Sequence, residues 1–326
     1  MRHLMVMILA GLCASAQAQV PAPAAEFGWN AGAADCAATP QPPLQVQRLD
    51  ASTFVLRQNP CASFEANFLY LLIGDTRALL VDSGSVADPA RMPLAQEVTA
   101  LLPMRDGAKL PLLVAHTHSH RDHRDGDAQL APLAKVEIVP PDEAGVRAFY
   151  GFTRWPEGEA QLDLGGRTID VLPAPGHNDN QVVFYDRQTA TLLTGDFLLP
   201  GRVTVADTDA FRASARRIAT FVRDRPVARV LGGHVEMDKS GRLYPHGTTH
   251  HPDERGPALA KSDVLALPSA MDDFNGFYSP HGNFVITHPT HMLAALVAGV
   301  LLVLAGLAWL MVRTMRRRRA RAAARG

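Results

Sequence analysis

Short apolar runs separated by polar, glycine-containing breaks recur through most of this chain, and that rhythm predicts many short strands with helices between them. Residues 44–49, 53–57, 67–73 and 78–82 carry alternating or continuous apolar positions at strand length, and the last run closes on the turn Asp82-Ser83-Gly84. A helix is expected over 89–102, then a buried strand at 110–115 (LPLLVA). Asp125 can cap a short helix over 126–134, followed by a strand at 136–139 and a helical stretch near 142–150. Further strands are expected at 168–172, 182–185, 191–194 and 227–231. Within 209–223, Phe211, Ala215, Ile218 and Val222 recur at helical spacing, so one face of that helix should be buried. Residues 259–267 suit a short helix, and 270–290 read as irregular.

The ends of the chain follow other rules. Residues 1–18 join Arg2 to an apolar run and the small residues Ala16-Gln17-Ala18, the pattern of a secretory signal cut after Ala18, with a short uncleaved helix as the alternative. Residues 19–43, rich in alanine and proline, read as a linker. Residues 238–257, polar and carrying His246, His250 and His251, read as a mobile, solvated loop. Met292–Val312 is 21 residues without a charge, about 30 Å as a helix, which matches a bilayer core. The organisation expected is therefore a catalytic domain over 44–270, a juxtamembrane segment over 271–291, a single transmembrane helix over 292–312 and a basic tail over 313–326. By the positive-inside rule the tail stays in the cytoplasm, which puts the body on the periplasmic, extracytoplasmic side of the cell membrane.

Charge sharpens this picture. Formal net charge is zero, yet seven of the 32 basic residues crowd into the last fourteen positions. Without them and Arg2 the body holds 24 basic against 32 acidic residues, a balance that argues against a nucleic-acid partner. The expected partners are a small-molecule substrate and the membrane. Of three cysteines, Cys13 lies in the leader, leaving Cys36 and Cys61 either bridged or free.

The chemistry concentrates in Thr117–His123, THSHRDH, directly after the 110–115 strand. In extended backbone, side chains two apart point the same way, so His118 and His120 can grip one metal ion while Asp122 and His123, past the bend, face a second. Asp82, this cluster, His177, Asp196 and His234 each lie at the carboxyl end of a short apolar strand, where open sheets gather their ligands.

That order, Asp82, THSHRDH, PGH at 177, GD at 196 and GH at 234, resembles the metallo-β-lactamase superfamily of hydrolases over roughly residues 44–235. The resemblance implies an α/β fold, the αββα sandwich of two mixed sheets flanked by helices. It also implies two zinc ions, one held by His118, His120 and His177, the other by Asp122, His123 and His234, with Asp196 bridging. Asp82 would hold the histidine loop by hydrogen bonds, and His116 falls outside the motif as a strand-end or supporting group. Zinc lowers the pKa of a bound water to about 7, so the implied reaction is attack by a metal-bridging hydroxide, oriented by Asp122, on an ester, thioester, lactone or amide. Aspartate at position 196 is similar to the glyoxalase II and lactonase branches and unlike true β-lactamases, which makes β-lactam hydrolysis a lesser alternative. No basic helical domain of the glutathione-binding kind follows His234, and Phe197–Leu199 lacks the tyrosine common in homoserine-lactone hydrolases. The other alternative is a mononuclear iron dioxygenase acting on persulfides, which would use only His118, His177 and Asp196.

Overall fold

In a computed structural model that describes residues 28–324, β1 (Leu44–Asp50), β2 (Thr53–Gln58), β3 (Phe68–Ile73) and β4 (Ala78–Val81) form an antiparallel meander. The chain continues through α1 (Leu94–Leu101) and a small hairpin, β5 (Met104–Arg105) and β6 (Ala108–Lys109). Next come β7 (Leu112–Ala115), α2 (Asp127–Leu130) and β8 (Val136–Ile138), the two strands adding in parallel to give the sheet order β1-β2-β3-β4-β7-β8.

Past α3 (Glu143–Tyr150), β9 (Ala160–Asp163), β10 (Thr168–Pro173), β11 (Val182–Asp186) and β12 (Thr191–Gly195) form a second antiparallel meander. Then follow β13 (Arg202–Thr204), α4 (Thr208–Arg223), β14 (Arg229–Gly232) and β15 (Ala258–Leu259), of which β14 and β15 complete the sheet order β15-β14-β12-β11-β10-β9. The described chain ends with α5 (Lys261–Asp272), β16 (Tyr278–Pro280), β17 (Val285–Thr287) and α6 (Pro289–Ala323), β17 lying between β13 and β16 in a third sheet.

Alternation along the strands produces the layers, because successive side chains point to opposite faces. Phe68, Tyr70, Leu72, Leu79, Val81 and Leu113 meet Ile169, Val171, Val182, Phe184 and Leu193 between the two large sheets. The intervening residues Leu69, Leu71, Leu80 and Val114 face outward under Leu94 and Val98 of α1 and Leu130 of α2. On the other side Leu172, Val183, Leu192 and Val230 lie under Phe211, Ala215, Ile218 and Val222 of α4 and Val264 and Leu267 of α5. The result is the expected αββα sandwich. Asp207, whose carboxylate accepts from the amides of Asp209 and Ala210, starts α4 one turn before its first buried residue. Arg167 pins the two sheets together. It is buried, ion-paired to Asp186 at 2.6 Å and donates across the interface to Ser52 O and Thr53 Oγ1.

Several expectations from the sequence change. The signal segment 1–18 and the first part of the linker, 19–27, lie outside the described residues. The rest of the linker is not free: Gly32 bridges to His250, the amide of His251 donates to Ala31 O, and Cys36 is disulfide-bonded to Cys61 with Cα atoms 5.5 Å apart. Residues 238–257 are anchored as well. His251 is buried, stacked on Tyr244 with ring centroids 4.5 Å apart and hydrogen-bonded to Glu254, which forms a buried 2.6 Å ion pair with Arg57. Polar composition suggested solvent, but these charges satisfy one another inside the protein. Asp125 does not cap α2, whose N-cap is Gly126. The expected domain end at 270 falls inside α5, and 270–290, expected irregular, contains β16 and β17, so the folded body runs on to Thr287. After His288 alone, α6 begins, and its stretch Pro289–Arg321 is long and apolar enough to cross a membrane, with none of its apolar window buried inside the protein.

Candidate metal centre

Strand direction brings the site together. β4 and β7 are parallel, as are β12 and β14, and β10 runs the same way as β12 because β11 is antiparallel to both. Asp82 follows β4, residues 117–123 follow β7, His177 follows β10, Asp196 follows β12 and His234 follows β14, so all arrive at one edge of the sandwich.

There the side chains form two groups of candidate ligand atoms, each group within 4.8 Å of one another. In the first, His118 Nε2 lies 2.9 Å and His177 Nε2 3.1 Å from His120 Nδ1. In the second, Asp122 Oδ2 is 3.1 Å from His123 Nε2 and 3.3 Å from His234 Nε2, and the two imidazole nitrogens are 3.2 Å apart. Asp196 stands between the groups, with Oδ2 3.6 Å from His177 Nε2 and Oδ1 3.4 Å from both His123 Nε2 and His234 Nε2. His120 is exposed, which opens the site to solvent on that side. Gly233 has to lack a side chain: a Cβ there would come within 2.6 Å of His123 Cε1 and 2.8 Å of Asp196 Oδ1.

Three of the five inward-facing nitrogens are set by what holds the far side of the ring. His177 Nδ1 donates to Thr204 O at 2.8 Å, His234 Nδ1 to Glu65 O at 2.7 Å, and His123 Nδ1 to Asp82 Oδ2 at 2.9 Å. With Nδ1 committed to donating, Nε2 is the nitrogen left to face the centre, and it offers its lone pair once it carries no proton. Asp82, at φ 62°, also accepts from the Thr117 amide at 2.7 Å and from its hydroxyl, locking the start of the histidine loop. His116 lies outside the clusters, with Nε2 2.9 Å from Asp127 Oδ1.

Electrostatics shows what this arrangement demands. Burial opposes a charged His123, but Asp196, Asp82 and Asp122 outweigh it and hold the group well above its ordinary range. Burial likewise opposes charge on His234, while Asp196 and Asp122 push it up to about 10. His118 and His177 go down, through burial first and then through neighbouring imidazoles. Burial would raise both Asp122 and Asp196, yet the facing imidazoles hold each far below the carboxylate range. Asp196 Oδ1 is buried and accepts no hydrogen bond. Two carboxylates and a set of convergent lone pairs require positive charge at their centre, and divalent cations supply it through the donor atoms on offer. Each of the two groups therefore has a donor set that could hold a metal ion.

Sequence reasoning missed three contributors. Buried Asn67 places Nδ2 3.5 Å from Asp122 Oδ2 and 3.4 Å from His234 Nε2. A lone polar residue opening the apolar run NFLYLLI was a usable sign of it. The carbonyls of Glu65 and Thr204 left no sign, since every residue carries one.

A family model described as the metallo-beta-lactamase superfamily matches residues 64–234. The acyl-coenzyme A thioesterase MBLAC2 of Gallus gallus is 28% identical over 211 residues, covering 54% of this chain and 75% of that protein. A hydroxyacylglutathione hydrolase of Methylobacillus flagellatus is 27% identical over 224 residues, covering 65% of this chain and 81% of that one. Among solved structures, a metallo-β-lactamase from Pontibacter korlensis is 15% identical and covers 71% of this chain and 100% of that chain, with a TM-score of 0.48. The matched family segment spans more than half of the sequence and contains the strands that deliver both clusters, so the chain belongs to the metallo-β-lactamase superfamily and is a metal-dependent hydrolase.

Proposed function

We propose that this protein is a membrane-anchored, extracytoplasmic dinuclear zinc hydrolase that cleaves an ester, thioester, lactone or amide, with thioesters foremost. The observation that carries the reading is the convergence of seven candidate ligand side chains in two groups, with Asp196 between them. His118, His120 and His177 would hold one ion and Asp122, His123 and His234 the other, with Asp196 offering one oxygen to each. When bound, the ions would polarise the scissile carbonyl and bring a water to a pKa near 7, so no side-chain base is needed. Asp122, held as a carboxylate and partly open to solvent, orients the attacking water by accepting its hydrogen bond. Asp82 fixes the tautomer of His123, and Thr204 and Glu65 fix those of His177 and His234. Asn67 steadies Asp122 from the side.

The names of the thioesterase and hydroxyacylglutathione hydrolase relatives favour a thioester. An intact second group, Asp122, His123 and His234, favours two ions over the single iron of a dioxygenase, which would leave those three residues without a task. Extracytoplasmic placement draws support from the arginine tail after α6 and from the Cys36–Cys61 bridge, which needs an oxidising compartment.

Metal analysis of the purified full-length chain, coupled to hydrolysis of thioesters, lactones, phosphoesters and β-lactams, tests the reading. Two zinc ions per chain, thioester cleavage, and its loss in Asp122→Ala and His177→Ala are expected. One iron per chain with oxygen uptake, or hydrolysis that survives both substitutions, would overturn it.

A further inference from the structure

The root of α6 lies beside the metal centre, and the connection is short. His177 donates from Nδ1 to Thr204 O at 2.8 Å, and Thr204 ends β13. β13 pairs in parallel with β17, Thr204 in register with Thr287, so both strands end on the metal-centre side. Two residues beyond Thr287, at Pro289, α6 begins. Neighbouring strands are about 4.8 Å apart and a helix rises about 1.5 Å per residue, which puts the first apolar turn of α6 no more than roughly 20 Å from the His177 ring.

A second observation concerns height. The turn leading into β16 carries Phe277, and Tyr278 opens the strand; each is 44% exposed although both have large hydrophobic rings. The side chain of Asn275 closes this turn by accepting from the amides of Phe277 and Tyr278 at 2.8 and 3.0 Å, so the aromatic pair is held in place. The turn is also tied to the helix root: the His288 amide donates to Phe277 O at 3.0 Å, and His291 Nδ1 donates to Gly276 O at 3.0 Å. His291 immediately precedes Met292, where the uncharged stretch starts. The two exposed aromatics therefore stand level with the end of a candidate membrane span, the depth at which aromatic side chains collect in the headgroup layer.

We propose that Phe277, Tyr278 and the first turn of α6 form a membrane-docking face that sets the metal centre against the bilayer surface, so that its substrate is a membrane-borne amphiphile. The acyl chain stays in the lipid and the ester or thioester group reaches the two clusters. This rests on the reading of α6 as a span and of the clusters as the hydrolytic centre. Water adds across the acyl carbon–sulfur or carbon–oxygen bond, releasing the carboxylic acid, which stays with the bilayer, and the thiol or alcohol, which leaves into the aqueous phase.

The full-length, zinc-loaded chain in lipid nanodiscs tests both halves. In a Trp309→Phe background, Phe277→Trp should add fluorescence that brominated phosphatidylcholine quenches; an added signal insensitive to the brominated lipid overturns the docking face. In the parent background, Phe277→Ser with Tyr278→Ser should slow cleavage of a long-chain acyl thioester dissolved in the nanodisc by ~10-fold while leaving a short-chain, water-soluble thioester within about twofold. Equal loss on both substrates, or no loss on either, overturns the membrane-borne substrate. A parent chain that cleaves neither thioester overturns the hydrolase reading instead, and the quenching measurement still decides the docking face.

Discussion

Replacing Asp82 by Asn should weaken one metal site and spare the other. The substitution keeps the size of the side chain, and asparagine tolerates the positive φ of 62° found there. What it removes is one of two acceptor oxygens. Asp82 takes the Thr117 amide at 2.7 Å on one oxygen and His123 Nδ1 at 2.9 Å on the other, with the Thr117 hydroxyl beside them, and is itself buried. If the amide oxygen turns to His123, the NH2 group faces the Thr117 N–H, leaving a buried donor unmet at a cost of about 1–3 kcal/mol. If it turns to Thr117, the NH2 group faces His123 Nδ1, which must then accept, so the ring proton moves to Nε2. That is the atom facing Asp122 and His234. In the second orientation the facing lone pair is lost, and in the first a neutral amide polarises the His123 ring less than a carboxylate does, so the second cluster should lose about 10–100-fold in zinc affinity, equivalent to about 1.4–2.7 kcal/mol. His118 reaches Asp82 only through the Thr117 hydroxyl, 3.2 Å from His118 Nδ1, and His120 and His177 have no hydrogen bond to it, so the first cluster should change less. Calorimetric titration of zinc into the chelator-stripped full-length chain resolves the two. Asp82→Asn binding two zinc ions with the parent's affinities would refute the reasoning.

Zinc affinity should also depend on pH in a defined direction. His234 is held at about 10 and His123 well above its usual value, so at neutral pH a metal must displace protons from the second cluster. Affinity there should rise about tenfold per pH unit for each proton displaced as pH increases toward these values, and fall as pH drops; chelator competition between pH 6 and 9 would read a flat line if this is wrong. Replacing Arg167 by Met should destabilise the fold by about 3–5 kcal/mol, because Asp186 is left buried without its partner. Urea unfolding monitors this, and a loss under about 1 kcal/mol would mean the cross-sheet ion pair contributes little. Removing the disulfide with Cys36→Ser should cost about 3.5 kcal/mol in the chain-entropy model for a loop of this length, and an unchanged unfolding midpoint would show that segment 28–43 is held by its hydrogen bonds alone.

The sequence by itself determined the alternation that builds the two sheets, the helical face of α4 and the apolar length of α6, because each depends on residues only a few positions apart. It also named the seven candidate ligands and Asp82. Histidine and aspartate at strand ends are rare enough to stand out one by one. Tertiary structure alone decided which carbonyls orient the imidazoles, Glu65 O for His234 and Thr204 O for His177, since backbone oxygens are chemically alike and only position selects among them. It decided, too, that residues 28–43 and 238–257 belong to the folded body: Arg57 and Glu254 are 197 positions apart, and nothing local shows that each is buried because the other neutralises it. The nearness of α6 to the metal centre is of the same kind, because β17 joins β13 from 83 positions further along the chain. Local periodicity sets what each segment becomes, whereas the meeting of distant segments depends on which surfaces remain to be buried once those segments exist.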